Sequence, residues 1–278
     1  MNFSATTVAR LPVWFRLGIF VLILLLLWLP LALPIYTLWG TGNTPSLVAT
    51  VILYVEFIVL LRQWAKRLYH QAQPLRFYGL EWSWQNGQDL LSGLGLGLIS
   101  LSGLFGLETI LGWLNWGASP HLSRIILEGL GVALAVGLAE ELLFRGWFLQ
   151  ELERDYSPRT ALWVNSVSFA VLHFIRPLDL ILQTWTQFFG LILLAVNLVL
   201  AKRLGRERLG WAIGLHAGLV WGYYIVNVGK LFTYTDRAPV WMTGINNNPL
   251  AGGMGLIFLG SLVWVMTMLQ PHGVHCKN

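Results

Sequence analysis

Long apolar runs alternate with short polar segments along this chain of 278 residues. Eight of these runs predict helices, near residues 13–39, 46–61, 88–114, 122–150, 158–176, 178–201, 209–230 and 250–269. Several reach the ~20 residues that a helix needs to cross the hydrocarbon core of a bilayer. No segment shows the strict alternation of polar and apolar positions that is typical of a strand. The pattern predicts an all-α polytopic bundle of about eight transmembrane helices, with residues 1–278 forming a single integral membrane domain.

The few charged residues are distributed asymmetrically between the loops. Hydrophobic residues make up 56% of the chain and charged residues only 11%, whereas soluble domains carry about 25% charged residues. Fourteen of the 18 Lys and Arg residues fall on the side that holds the N-terminus. Because cytoplasmic loops carry the excess of positive charge, we predict a multi-pass protein with both termini in the cytoplasm. The net charge of +5 then reflects topology and not binding to nucleic acid.

One predicted helix contains three ionisable residues in the stretch AEELLFRG, residues 139–146. A charge at the bilayer centre costs roughly 2.5–3.5 kcal/mol on insertion scales. Glu141 and Arg145 are four residues apart, in the order that favours an ion pair, and a purely structural pair would account for them. Glu140 points about 100° away from Glu141, so it needs another partner. The other carboxylates within predicted spans are Glu56, Glu108 and Glu128.

Two histidines in other predicted helices are candidate partners for these carboxylates. Glu140 lies 17 residues before Ser157, and His173 lies 16 residues after it. In an antiparallel hairpin that turns at Ser157, both would lie about 25 Å from the turn and face each other. His216 lies about two helical turns beyond the basic segment ending at Arg208, at a comparable depth. The alternative for each histidine is a hydrogen bond that only joins two helices.

These residues resemble the family of CAAX proteases and bacteriocin-processing membrane proteins, also called the CPBP or Abi family. The first motif of that family, EExxxR, matches Glu140, Glu141 and Arg145. The second motif, FxxxH, matches Phe169 and His173.

The third family motif is a histidine followed four residues later by asparagine or a similar residue. It matches at His216 only, because position 220 is Val220. The resemblance covers about residues 122–230, which would form the catalytic core, and the eight-helix count agrees with the fold of the family.

The resemblance implies an intramembrane endopeptidase that cuts near the cytoplasmic leaflet. Eukaryotic members of the family remove a C-terminal tripeptide from prenylated proteins. By this likeness Glu140 would activate a water molecule, and His173 would share the proton of that water. Glu141 with Arg145 would orient or support the water, and His216 would stabilise the oxyanion.

Val220 leaves the third motif without a hydrogen-bond donor. Asn197 lies ten residues before Glu207, the centre of the loop between two predicted helices, and His216 lies nine residues after it. The two side chains should therefore lie at the same depth. One hypothesis is that Asn197 supplies the missing donor, and the alternative is that it only joins two helices. Phe169 and Asn197 are accordingly the predicted substrate-binding residues.

The family has been described both as metal-dependent and as glutamate-dependent without metal. The chain has no HExxH segment, in which two histidines on one helix bind zinc, and this favours the mechanism without metal. Zinc stays open as a cofactor, because two histidines and a glutamate would suffice to bind it. His272, His275 and Cys276 are interpreted as part of a hydrophilic tail.

Two other classes of function remain open. The chain would be a non-catalytic scaffold or a protective, immunity-like protein if the departure at Val220 has removed activity. It would be a proton-coupled transporter if the Glu and His residues relay protons, although the chain lacks the internal repeats of many transporters. For the enzyme, the predicted partners are a membrane-embedded or lipidated peptide and the lipid bilayer. The predicted location is a bacterial plasma membrane or another internal membrane.

Overall fold

A computed structural model of the protein describes residues 5–245 and 248–270, and helices dominate it. The helices of its first half are α1 (Ala5–Ala9), α2 (Val13–Trp39), α3 (Asn43–Tyr69), α4 (Pro74–Phe77), α5 (Trp84–Ile110) and α6 (Leu122–Glu141). A π-helix (Leu142–Phe148) continues α6 without a break into α7 (Leu149–Glu153). The later helices are α8 (Pro158–Leu172), α9 (Leu178–Thr184), α10 (Gln187–Leu204), α11 (Gly210–Val228), α12 (Val240–Thr243) and α13 (Gly253–Met268).

The helices form an all-α membrane bundle, as predicted. Within the described ranges, five helices are long and apolar enough to cross a membrane: Val13–Trp39, Asn43–Tyr69, Trp84–Ile110, Leu122–Glu153 and Gln187–Leu204. The protein is therefore an integral membrane protein. Helices α8 and α13 are shorter, and α11 with its 19 residues is not among the five, so the count of eight spans stays a prediction.

Two predicted helices have different boundaries in the structure. The span predicted at 178–201 is divided into α9 and α10 at residues 185–186. The span predicted at 158–176 ends at Leu172. Pro177 explains this end, since its ring would clash with the carbonyl of residue 173 in a continuous helix. His173 consequently lies at the C-terminal end of α8.

A short β-ribbon corrects the prediction that the chain has no strands. Strand β1 (Leu114–Trp116) pairs antiparallel with β2 (Phe232–Tyr234). Three residues are too few to show a period of two, so the sequence pattern missed them. The Trp116 and Phe232 rings pack edge to face with centroids 5.9 Å apart, a contact that stabilises paired strands. The ribbon joins the ends of α5 and α11.

Helices α5 and α11 pack with almost no side chain between them. Gly93 and Gly97 of α5 lie against the backbone of α11, and Gly214 and Gly218 of α11 lie against that of α5. A Cβ atom at Gly214 would overlap the Leu90 carbonyl oxygen. Small residues at this spacing allow membrane helices to approach closely. The packing fixes the position of α11, which carries His216.

A buried polar cluster ties α7 to the first two long helices. The Arg16 guanidinium donates from Nε to Glu151 Oε2 over 2.8 Å and from Nη1 to Asp155 Oδ1 over 3.0 Å. The Glu151 carboxylate also accepts from Trp64 Nε1 at 3.1 Å and from the Tyr69 hydroxyl at 2.7 Å. These bonds compensate the burial of the charges, and they hold the end of the helix that carries Glu140 and Glu141.

The orientation of the bundle can be tested by thiol labelling. Ala118 and Ser157 lie beyond opposite ends of the continuous helix 122–153, which is about 48 Å long. In a Cys276→Ser background, we expect Ser157→Cys to react with an impermeant maleimide only from the cytoplasmic side, and Ala118→Cys only from the opposite side. Reaction of each cysteine from the opposite side instead would contradict the prediction that both termini are cytoplasmic.

Candidate active site

Glu141, Arg145 and His216 form a buried ionic cluster between α6, the π-helix and α11. Arg145 Nη1 donates to Glu141 Oε1 over 3.1 Å, and His216 Nδ1 lies 2.8 Å from the same oxygen. Glu141 and Arg145 have no solvent-exposed surface, and His216 is 4% exposed. A carboxylate oxygen can only accept, so Nδ1 carries the proton. The predicted ion pair is therefore present, and the histidine predicted at similar depth joins it.

Arg145 is held by a further hydrogen bond and by two aromatic rings, while its Nε is buried without a partner in the described residues. Nη2 donates to the Ala195 carbonyl oxygen over 3.3 Å. The guanidinium carbon lies 4.5 Å from the centroid of the Phe169 ring and 5.7 Å from that of Phe144. Cation–π contacts of this kind strengthen when they are desolvated. Arg145 is thus built into the core and neutralises the charge of Glu141 there.

The π-helix that contains Arg145 was not predicted. The Phe144 carbonyl oxygen accepts the backbone N–H of Leu149, five residues on, and also the side-chain amide of Asn165 of α8 at 2.8 Å. Asn165 is completely buried. A single π-helical segment inside an α-helix is frequent at functional sites. The hydrophobic pattern cannot reveal it, since a π turn alters the period by only one residue.

Glu140 and His173 form a second, more open pair. His173 Nδ1 lies 2.7 Å from the Phe169 carbonyl oxygen. Because a carbonyl oxygen accepts, Nδ1 donates this bond and Nε2 is left on the other side of the ring. Nε2 lies 3.7 Å from Glu140 Oε2, and the two side chains are 33% and 28% exposed. The hairpin that turns at Ser157 therefore brings these residues to one level, as its residue counts predict.

The Glu140–His173 distance is too long for a hydrogen bond. Both facing atoms accept when His173 is neutral and Glu140 is ionised, so they cannot bond each other directly. A water molecule has two protons and can donate to both. Glu140 Oε2 is itself buried and has no hydrogen-bond partner in the described part of the chain, so it needs a donor that a water could supply.

Phe169 lies beneath the site. Its ring is 1% exposed and is enclosed by Phe144, with centroids 4.9 Å apart, and by His173, with centroids 4.3 Å apart. The Arg145 guanidinium also packs on the Phe169 ring. This placement favours a role in orienting Arg145 and His173 over the predicted contact with substrate.

Asn197 is the predicted site residue that the structure places away from the cluster. It is completely buried, and its side-chain amide donates to the Leu193 carbonyl oxygen at 2.9 Å and to the Leu259 carbonyl oxygen at 3.0 Å. Both amide protons are therefore engaged, and one bond joins α10 to α13. The placement favours the helix-joining role over donation to an oxyanion.

Replacement of Asn197 separates the two roles. We expect Asn197→Ala to lower the melting temperature, because bonds between membrane helices contribute about 0.6 kcal/mol each, and to leave turnover within a few-fold of wild type. Thermal unfolding in detergent and a cleavage assay measure both quantities. A fall in turnover of about 10²–10³-fold, as for loss of an oxyanion donor, at unchanged melting temperature would restore the catalytic hypothesis.

The other carboxylates within the spans lie outside the cluster. Glu108 is buried and accepts from the Tyr234 hydroxyl at 3.0 Å, and burial together with this neighbour raises the pKa of Tyr234. Glu128 pairs with Arg124 on the protein surface at 2.6 Å. Glu56 is half-buried in α3.

The arrangement does not match a three-ligand zinc site. In residues 5–245 and 248–270, no three His, Cys, Asp or Glu side chains converge in a way that would hold a metal ion. Glu141 and His216 are bonded to each other, and the Arg145 guanidinium adjoins them with a positive charge. His272, His275 and Cys276 lie outside the described residues.

Fold and site together define a polytopic membrane protein with an ionisable cluster shared by three helices. Residues 122–233 match the family model described as type II CAAX prenyl endopeptidase, Rce1-like. The match covers less than half of the chain, and over these residues it confirms the predicted resemblance to the CAAX proteases. No curated protein and no solved structure matches the chain.

Proposed function

We propose that the protein is an intramembrane endopeptidase in which Glu140 and His173 activate a water molecule for attack on a peptide bond. The observation that carries the proposal is the 3.7 Å gap between Glu140 Oε2 and His173 Nε2. The two side chains are partly exposed, and a water beside them, within hydrogen-bond distance of both atoms, would be oriented by two acceptors. General-base catalysis requires a base within hydrogen-bond reach of the proton that it removes.

The proposed reaction is a hydrolysis by general-base catalysis. Glu140 accepts a proton from the water, and the water oxygen bonds to the carbonyl carbon of the substrate. The carbonyl oxygen becomes an oxyanion in the tetrahedral intermediate. Its collapse breaks the C–N bond, and the proton held at Glu140 passes to the leaving amine. His173 Nε2 accepts the second hydrogen bond of the water and fixes its orientation.

The buried cluster supports this chemistry from beside the pair. His216 Nδ1–H donates to Glu141, so a protonated His216 would have Nε2–H available to stabilise the oxyanion. The Glu141 carboxylate would stabilise that imidazolium, as a buried carboxylate does for the histidine of a catalytic triad. Arg145 pairs with Glu141 and holds its carboxylate in place. Neither role requires a metal ion.

The depth of the site supports cleavage near the cytoplasmic leaflet. His216 lies six residues beyond Gly210, the first residue of α11, which corresponds to about 9 Å. The loop before α11 holds Arg206 and Arg208, and Arg203 lies in the last turn of α10. This segment is predicted to be cytoplasmic by the positive-inside rule. A substrate that reaches this depth is a lipidated or membrane-embedded peptide.

Comparison of proteomes tests the proposal and identifies the substrate. Cells with the wild-type protein and cells with Glu140→Ala are compared by mass spectrometry of peptide termini in the membrane fraction. We expect uncleaved precursors to accumulate in the variant. Glu128→Ala is the matched control, because Glu128 lies on the same helix and faces the surface. Identical termini in all three strains would contradict an endopeptidase.

Val220 favours one second candidate, a non-catalytic scaffold of the same fold. A scaffold predicts that Glu140→Ala alters neither the termini of membrane proteins nor the phenotype of a deletion strain. The same comparison therefore separates the two functions.

A further inference from the structure

Arg176 is a cation in an apolar segment next to the Glu140–His173 pair. It follows His173 by three residues in the stretch HFIRPLDLIL, residues 173–182. The chain turns directly after His173, since the backbone N–H of Arg176 donates to the Phe174 carbonyl oxygen at 3.0 Å. The Cα atoms of His173 and Arg176 are at most about 11 Å apart, a distance that an extended peptide covers in about three residues.

The segment that joins α8 to α10 lies at the depth of the bilayer core. The two helices run antiparallel, because Arg203 near the end of α10 donates to the carbonyl oxygen of Pro158, the first residue of α8, at 2.7 Å. The 15 residues of α8 rise by about 22 Å, which is less than the ~30 Å thickness of the hydrocarbon core. Residues 173–186 therefore stay within the core, and the apolar side chains of Ile175 and Leu178 are exposed there.

The guanidinium of Arg176 has no anionic partner in the part of the chain that the structure describes. None of the ion pairs among these residues includes it, and its Nε is buried without a hydrogen-bond partner. The buried arginines Arg16 and Arg145 are by contrast paired with carboxylates. Arg176 thus carries a charge that the described residues leave unneutralised.

An aromatic contact holds the guanidinium of Arg176 in place. Its central carbon lies 4.4 Å from the centroid of the Phe174 ring. That ring packs edge to face on Phe188 of α10, with centroids 5.8 Å apart. A cation over the face of an aromatic ring is stabilised there, and this contact uses none of the N–H donors of the guanidinium. The donors therefore stay available to a ligand.

The chemistry of the guanidinium selects a carboxylate as this ligand. A charge at the depth of the bilayer core is costly without a partner, so an anion that enters the segment is attracted to Arg176. The guanidinium holds its N–H donors in a planar fork, which matches the two oxygens of a carboxylate. Hydrogen bonds between such charged groups are about twice as strong as those between neutral groups.

We propose that Arg176 is a specificity-determining residue, which binds a carboxylate of the peptide substrate about three residues from the scissile bond. This inference rests on the proposed function. The carboxylate belongs either to the C-terminus of the substrate or to an acidic side chain, and both sources present the same two oxygens. Arg176 positions the peptide at the Glu140–His173 pair and takes no part in the proton transfers.

Three peptides that differ only at their last residue test the proposal. Each carries a farnesyl group on a cysteine at the fourth position from its end, because the matched family model is that of prenyl endopeptidases. The first peptide ends in glutamine with a free carboxylate, the second in glutamate with an amidated terminus, and the third in glutamine with an amidated terminus. The cysteine and the last residue are the same three residues apart in all of them.

The value of kcat/KM for each peptide is measured with the purified full chain in nanodiscs. We expect the first peptide, the second or both to exceed the third by about 10–100-fold, the usual effect of a hydrogen bond to a charged group. The difference should lie mainly in KM, because the contact is the same in the bound substrate and in the transition state. A preference for the first peptide alone assigns the C-terminal carboxylate, and a preference for the second alone assigns the acidic side chain.

Substitution of Arg176 shows whether this residue causes the preference. We expect Arg176→Gln to give equal kcat/KM values for the three peptides, and Arg176→Lys to retain part of the preference because it keeps the charge. Arg159→Gln is the matched control, since Arg159 is exposed in the first turn of α8, and it should keep the full preference. Equal values for the three peptides with the wild-type protein would overturn the assignment, as would a full preference in Arg176→Gln.

Binding measurements separate this assignment from the proposed function. Fluorescence anisotropy gives the Kd of each labelled peptide for the Glu140→Gln protein, with and without Arg176→Gln. A preference in Kd that depends on Arg176, without cleavage by the wild-type protein, would retain the carboxylate site and contradict the endopeptidase. Cleavage without any preference would contradict only the assignment of Arg176. Peptides that are neither bound nor cleaved would contradict both.

Discussion

Replacement of Glu140 by glutamine should lower turnover by about 10²–10⁴-fold, the usual contribution of a general base. Glutamine has nearly the same size, and it cannot accept a proton from water near neutral pH. The fold should be retained, because the Glu140 side chain is partly exposed and makes no hydrogen bond to another described residue. Initial rates of peptide cleavage at saturating substrate measure the effect.

Glu128→Gln provides the control for this prediction. Glu128 lies on α6 as Glu140 does, but its carboxylate pairs with Arg124 at the surface. The control variant should keep wild-type turnover and a wild-type melting temperature. Turnover of Glu140→Gln within a few-fold of wild type would place the base elsewhere.

Replacement of Arg145 by alanine should destabilise the whole protein. Breaking a buried ion pair by removal of one partner costs about 3–5 kcal/mol, and here it leaves Glu141 buried with only His216 beside it. The Phe169 ring also loses the guanidinium that packs on it at 4.5 Å. We expect a strongly lowered melting temperature, poor expression and loss of activity together.

Two further variants make this prediction specific. Arg145→Lys keeps the charge but loses the planar group that contacts both Glu141 and Ala195, so its melting temperature should lie between those of wild type and Arg145→Ala. Arg124→Ala breaks an i,i+4 pair of the same type on the exposed face of α6, where such pairs contribute little, and should leave stability unchanged. Equal melting temperatures for Arg145→Ala and wild type would contradict a structural role for the pair.

Part of the site could be predicted from the sequence because helices have a regular rise. Counting residues outward from Ser157 places Glu140 and His173 at one level, and the structure confirms that they face each other. The same reasoning predicted the Glu141–Arg145 pair, and it gave the depth of His216. Residue counting could not tell which carboxylate His216 contacts. That depends on the rotation of α11 about its axis, and the glycine contacts between α11 and α5 determine this rotation.

Other features depend on contacts that no local pattern encodes. In the π-helix the Phe144 carbonyl accepts a second bond, from the side-chain amide of Asn165 on another helix. The break between α9 and α10 at residues 185–186 has no counterpart in the hydrophobic pattern of the span. Depth alone made Asn197 a candidate donor, and only the position of Leu259 shows that its amide joins α10 to α13.

The most direct test of the central claim is cleavage by the purified protein in nanodiscs, in water enriched in ¹⁸O. The substrate is a precursor peptide from the proteome comparison, and the product is weighed by mass spectrometry. We expect the wild-type protein to yield a product with one ¹⁸O atom in its new carboxyl terminus. We expect Glu140→Gln to yield almost none of this product. An intact peptide after incubation with the wild-type protein, or equal product from Glu140→Gln, would contradict the central claim.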